Sequence, residues 1–200
     1  MSLRLRILLT MFVCALVAPG LAQAGGGTYV FDGGTPKERS AVHSALEASS
    51  FDWSLVPATI TIHIKQGIPS EATRGNIWID SDLLASGRFA WGVVQHEYAH
   101  QVDFFLLDDP TRSALVATLG GASWWQALPG TPWAELTSER FASTLSWAYW
   151  PSAANSAKPT SVRDASAAMA PAAFRATLAS VLGRPDLAPT RSLSVARAAA

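Results

Sequence analysis

His96, Glu97 and His100 stand in the order His-Glu-Tyr-Ala-His, and these residue types at this spacing suit one kind of chemistry. Two imidazoles four residues apart on a helix share a face and can grip a single Zn²⁺ ion. Glu97 lies about 100° further round such a helix, within reach of a water at the metal without taking a coordination position. The pentapeptide reads as the centre of a zinc hydrolase, with His96 and His100 as metal ligands and Glu97 as general base. Three ionisable groups beside Trp, Phe and Leu are costly to bury unless something pairs them, and a metal does so directly.

The surrounding stretch predicts a helix from about Phe89 to Leu107. Phe89, Val93, Val94 and Phe104 recur at three- and four-residue spacings, and no proline interrupts them before Pro110. Upstream, Thr35 as N-cap, Pro36 at the first helical position and Glu38 completing a capping box mark another helix, running to about Ser49. Two alternating segments lie between. In 56–65, Ile60, Ile62 and Ile64 alternate with Thr59, Thr61 and His63; in 75–80, Ile77 and Ile79 alternate with Asn76, Trp78 and Asp80. Both have the period of half-buried strands. The order helix, strand, strand, metal helix predicts an α+β domain with a small antiparallel or mixed sheet.

A zinc site that keeps a catalytic water needs a third protein ligand. The other histidines, His43 and His63, both precede the motif, and His63 on an outer strand face reads as merely solvated. Asp103 and Leu106 stand where the metzincin pattern needs Gly and His. Carboxylates remain. Residues 133–147, after Thr131-Pro132, read as a second helix on which Glu135 and Glu139 lie one turn apart on one face, and either can complete the site.

With these residues the chain resembles the gluzincin metallopeptidases, whose shared core is a His-Glu-x-x-His helix and a second helix supplying a Glu ligand. The stretch from His96 to Phe104 is similar to the motif of minimal zincins related to the anthrax lethal factor peptidase domain. In that group the ligand opens a Glu-x-Phe-Ala stretch, which Glu139-Arg140-Phe141-Ala142 matches. The resemblance implies a minimal gluzincin-like fold in which His96, His100 and Glu139 hold one Zn²⁺ per chain. A thermolysin-like reading instead makes Glu135 the ligand and Glu139 its supporting partner. The resemblance further implies that 75–80 is the edge strand along which an extended substrate pairs. Ser143, one turn past Glu139, replaces an acidic residue, so support for a histidine must come from elsewhere, with Asp103 as a candidate. Tyr149 is the candidate for stabilising an oxyanion.

Met1 to Ala24 reads as a secretory signal peptide: Arg4 and Arg6, an apolar run from Ile7 to Ala18, then Ala22-Gln23-Ala24. Pro19-Gly20 cuts the run too short for a membrane span, so the mature chain carries none. Cys14 leaves with the signal, and the secreted chain has neither disulfides nor thiolate ligands. Residues 25–150 form the metallopeptidase-like domain; with seven Lys/Arg against 13 Asp/Glu they do not suit a nucleic-acid partner. Residues 151–200 carry six Lys/Arg against two Asp/Glu and are rich in Ala, Ser and Pro. They read as a helix over 164–183 within a solvated tail, with docking on the domain or binding of an anionic envelope polymer as the alternatives.

The function these features predict is a secreted zinc metallopeptidase acting on a peptide or protein substrate. A zinc amidase acting on cell-wall peptides and an inactive secreted zinc-binding protein are the alternatives. The sequence carries no signature of oligomeric state. Of eight tryptophans, Trp78 and the pair Trp124-Trp125 are the candidates for a substrate cleft, and the breaks at Gly120-Gly121 and Pro129-Gly130 suggest a flap between the ligand helices.

Overall fold

Ile60, Ile62 and Ile64 line the buried face of β3 (Ile60–Lys65), the middle strand of a five-stranded mixed sheet. In this computed structural model residues 22–24, 27–125, 129–184 and 187 are described. Strand β2 (Gly27–Gly33) runs parallel to β3 on one side and β5 (Asn76–Asp80) parallel to it on the other. β1 (Ala22–Ala24) is antiparallel to β2, and β4 (Glu71–Thr73) is antiparallel to β5, giving the order β1-β2-β3-β5-β4. The expectation that 75–80 forms the sheet edge is therefore corrected. That strand lies inside the sheet, and β4 is the edge. Glu71-Ala72-Thr73 is too short to show an alternating pattern, and Gly75, at φ 82°, allows the tight reversal that folds it back on β5.

Helix α1 (Pro36–Ala48) begins as its sequence dictates. Thr35 Oγ1 accepts from the Glu38 amide at 3.3 Å, and the Thr35 amide donates to Glu38 Oε2 at 2.6 Å. A four-residue helix α2 (Ser81–Leu84) follows β5, and Gly87 at φ 70° turns the chain into α3 (Arg88–Leu106), which carries the motif. Val94, Tyr98 and Val102 are buried on its core side, joining Val42, Ala45 and Leu46 of α1 and the sheet isoleucines. Asp108 accepts from the Thr111 amide and Pro110 occupies the first turn of α4 (Asp109–Leu119), a helix absent from the sequence reading. Pro110 starts a new helix as well as closing the old one.

After α5 (Thr137–Tyr149) the chain does not become a solvated tail. Asn155, 4% exposed, donates to the carbonyls of Ser146 at 3.2 Å and Trp150 at 2.9 Å. A 3-10 turn at Ala165–Ala167 leads to α6 (Pro171–Val181), whose Phe174 and Leu178 are buried in the core, with Phe174 against Phe141 of α5. The Leu187 carbonyl accepts from the Asp52 amide at 2.8 Å. The composition hides this because four well-placed side chains, Asn155, Phe174, Leu178 and Leu187, carry the docking.

Residues 1–21 of the expected signal peptide lie outside the described residues, as do 188–200 at the other end. No described helix is long and apolar enough to cross a membrane.

Candidate metal centre

Glu139 meets His96 and His100, Ser143 meets His96, and Ser146 meets Gly92, so α5 runs antiparallel to α3 with the motif between them. Gly92 lets the segment that follows α5 lie directly against α3. Ser146 Oγ donates to its carbonyl at 3.0 Å, and a Cβ there would lie 2.7 Å from the Ser156 amide nitrogen. A helix-interior glycine costs about 1 kcal/mol against alanine, and the tight contact accounts for its use.

The atoms that can ligate a metal converge. His96 Nε2 is 3.2 Å from His100 Nε2 and 3.1 Å from Glu139 Oε2, while His100 Nε2 is 3.5 Å from Glu139 Oε1. Two ligands at about 2.05 Å from a tetrahedral zinc stand about 3.3 Å apart, which these separations bracket. The two imidazoles are nearly perpendicular, at 83°. His96, His100 and Glu139 are the one group of three or more such side chains that gathers in this way among the described residues. They could hold a metal ion. Donor chemistry fits zinc: two imidazole nitrogens and a carboxylate oxygen, the set used where a fourth position stays open.

Glu135 is not part of this group. It is exposed and ends a 3-10 turn (Trp133–Glu135), and Leu136, at φ −74° and ψ 127°, is extended before α5 begins. The expected common face for Glu135 and Glu139 therefore does not exist.

Two supporting roles differ from expectation. Ser143 Oγ lies 3.1 Å from His96 Nδ1. With the hydroxyl accepting from Nδ1–H, His96 Nε2 would give up the proton it shares with Glu139 and turn its lone pair to a bound metal. Asp103, fully buried, does not bond either histidine. Its Oδ1 accepts from Arg112 Nε at 2.8 Å and its Oδ2 from Trp124 Nε1 at 3.0 Å. Asp103 points into the α3–α4 junction, and His100 Nδ1 is buried with no hydrogen-bond partner among the described residues.

Burial pushes the Glu97 carboxyl up to about 7, with His96 pulling down and Glu139 and Glu71 pushing further up. Burial acts on Glu139 in the same sense, but hydrogen bonds from His100 and His96 outweigh it and hold that carboxyl at about 2. Two carboxyls on facing helices are thus driven apart: one is a permanent anion suited to a ligand, the other exchanges a proton near neutrality.

Gln101, fully buried beside His100, fixes the sheet edge to the motif helix. Its Nε2 donates to the carbonyls of Thr73 and Asn76, and its Oε1 accepts from the Gly75 amide at 2.8 Å. Arg74 donates to the Phe104 carbonyl at the helix end.

His63 is held rather than merely solvated, by Asp32 at 2.7 Å and Asn76 at 3.0 Å, and is stacked on Trp78 on the outer face of the sheet. Tyr149 is buried edge-on to Phe51, ten residues past Glu139 and so about 15 Å along the helix. It is removed as an oxyanion group. Comparison with protein-family models, curated proteins and solved structures finds no match for this chain.

Proposed function

We propose that the chain is a zinc-dependent peptidase of the gluzincin type, with His96, His100 and Glu139 as ligands and Glu97 as general base. The observation that carries this reading is the convergence of the His96 and His100 Nε2 atoms and the Glu139 carboxylate beside a buried carboxyl, Glu97, that burial pushes up to about 7. When bound, zinc supplies a Lewis acid that polarises a carbonyl and lowers the pKa of a coordinated water to about 7. The chain's own residues do the remainder. Glu97 takes a proton from the attacking water and passes it to the departing amine. Ser143 holds the His96 ring in its ligand orientation. Gln101 sets the edge strand β4 beside the motif helix, where an extended peptide can pair with it.

Residues 1–24 support export, and the expected mature start is Gly25. Such processing removes β1 from the edge of β2. One observation favours a second reading, a secreted zinc-binding protein without turnover. All three tyrosines, Tyr29, Tyr98 and Tyr149, are buried in the core, so none reaches the cluster to stabilise an oxyanion.

Digestion of a broad peptide library by the zinc-loaded protein, read by mass spectrometry with and without a chelator, tests the proposal. Chelator-sensitive cleavage is expected. One zinc per chain with no cleavage of any peptide supports the second reading instead.

A further inference from the structure

Trp125 sits outside the core that takes most of the aromatic side chains, with 46% of its surface exposed. Its ring is stacked on Phe104, with centroids 5.3 Å apart and planes within 7°. Phe104 is one turn beyond His100, and those two rings are 6.3 Å apart. The indole is thus two ring steps from a metal-ligand candidate. An extended peptide advances about 3.3 Å per residue, so two positions cover about 6.6 Å and a large side chain spans the rest of the way to this ring.

The indole is also firmly placed. Its neighbour Trp124, 7% exposed, is anchored through Nε1 on the buried Asp103 carboxylate, and the two indoles meet edge to face at 6.3 Å and 85°. Arg112, which also holds Asp103, brings its guanidinium 5.8 Å from the Trp125 ring centroid. Asp103, Arg112 and Trp124 form a largely buried brace, and its product is a half-exposed aromatic ring two ring contacts from His100. Tryptophan left exposed on such a brace presents apolar area at low entropic cost to a partner.

We propose that Trp125 is a specificity-determining residue, a shelf on which a large apolar side chain of the substrate, aromatic by preference, lies within two positions of the scissile bond. This rests on the peptidase reading above. The shelf selects by contact area, so it discriminates a large side chain from a small one and reads no hydrogen bond.

The test compares matched peptides carrying Phe or Ala at each position within two residues of the cleaved bond, using the zinc-loaded full chain. The wild type should prefer Phe by roughly 10-fold or more in kcat/KM at one of these positions, as expected for an apolar contact of this size. Trp125→Ala should bring that ratio close to one while zinc content stays the same, and Trp125→Phe should restore most of it. A wild-type ratio near one, or a ratio untouched by Trp125→Ala, overturns the proposal. If the wild type cleaves no peptide, the peptidase reading fails, and anisotropy of labelled Phe- and Ala-containing peptides on the zinc-loaded protein decides the shelf. Tighter binding of the Phe peptide that Trp125→Ala abolishes supports it; equal binding of both overturns it.

Discussion

Ser143 and His96 are joined across the α3–α5 contact by a hydrogen bond of 3.1 Å between the hydroxyl Oγ and the imidazole Nδ1. The bond fixes which nitrogen of His96 turns toward Glu139 and His100. With a metal on His96, serine would do here what a carboxylate does in many zinc sites, as a neutral acceptor that passes less charge to the ligand.

Ser143→Ala should accordingly weaken zinc binding by about 10-fold, the lower end of what such supporting partners contribute, without unfolding the protein. Competition with a chromophoric chelator measures this. An unchanged zinc affinity would mean that the hydroxyl does not orient the ring.

Glu139→Ala should reduce zinc binding far more than Glu135→Ala, because the first removes a converging oxygen and the second alters an exposed turn. Metal analysis after gel filtration gives the order directly. The reverse order returns the ligand role to Glu135.

Glu97→Gln keeps size and leaves the three ligands in place, but an amide does not accept the proton of the attacking water. Zinc content should be normal and turnover should fall by at least ~100-fold. Equal cleavage by the two proteins removes Glu97 from the mechanism.

Asp103→Ala should destabilise the fold by about 3 kcal/mol, the low end for breaking a buried ion pair, since Arg112 keeps Asp109 at 2.9 Å. Chemical denaturation measures it. The folded fraction should bind zinc with near-normal affinity, because Asp103 serves Arg112 and Trp124; a large affinity loss would tie the carboxylate to a histidine after all.

Phe174→Ala should cost about 3–5 kcal/mol, as for a fully buried phenylalanine, given its 1% exposure against Phe141. A shift of the denaturation midpoint small enough for a surface site would show that α6 is only loosely attached.

The parts of this molecule that were legible in its sequence are those decided within a few residues. Thr35, Pro36 and Glu38 specify the start of α1 by local hydrogen bonding, and the isoleucine alternations of β3 and β5 and the periodicity of α3 are likewise local. The convergence of Glu139 on the two histidines was anticipated, though only its resemblance to a known motif separated it from Glu135. What the sequence concealed was settled at a distance. Leu136 is drawn out of the helix by the Ser123–Leu136 bridge, with the Thr137 amide donating to the Ser123 carbonyl, and neither is visible in 133–147 alone. Ser143 carries no such signal, because a hydroxyl is not the residue type that ordinarily supports a ligating histidine. The helical turn from His100 to Asp103 points to a supporting pair, but Arg112 and Trp124 arrive from outside the helix and claim the carboxylate.

The side chains that hold α3 in the fold and those that converge on Glu139 lie on different faces of the helix. Val94, Tyr98 and Val102 are spent on the interior, while His96 and His100 turn toward α5. The binding energy of a metal at this cluster would then not be needed to fold the chain, unlike a zinc finger, where the two are one quantity. A zinc ion held at this cluster would be a replaceable part of a finished structure. It should be possible to strip and restore such an ion, or exchange it for cobalt, without the chain passing through an unfolded state, and its occupancy would follow supply in the surroundings while the scaffold persists.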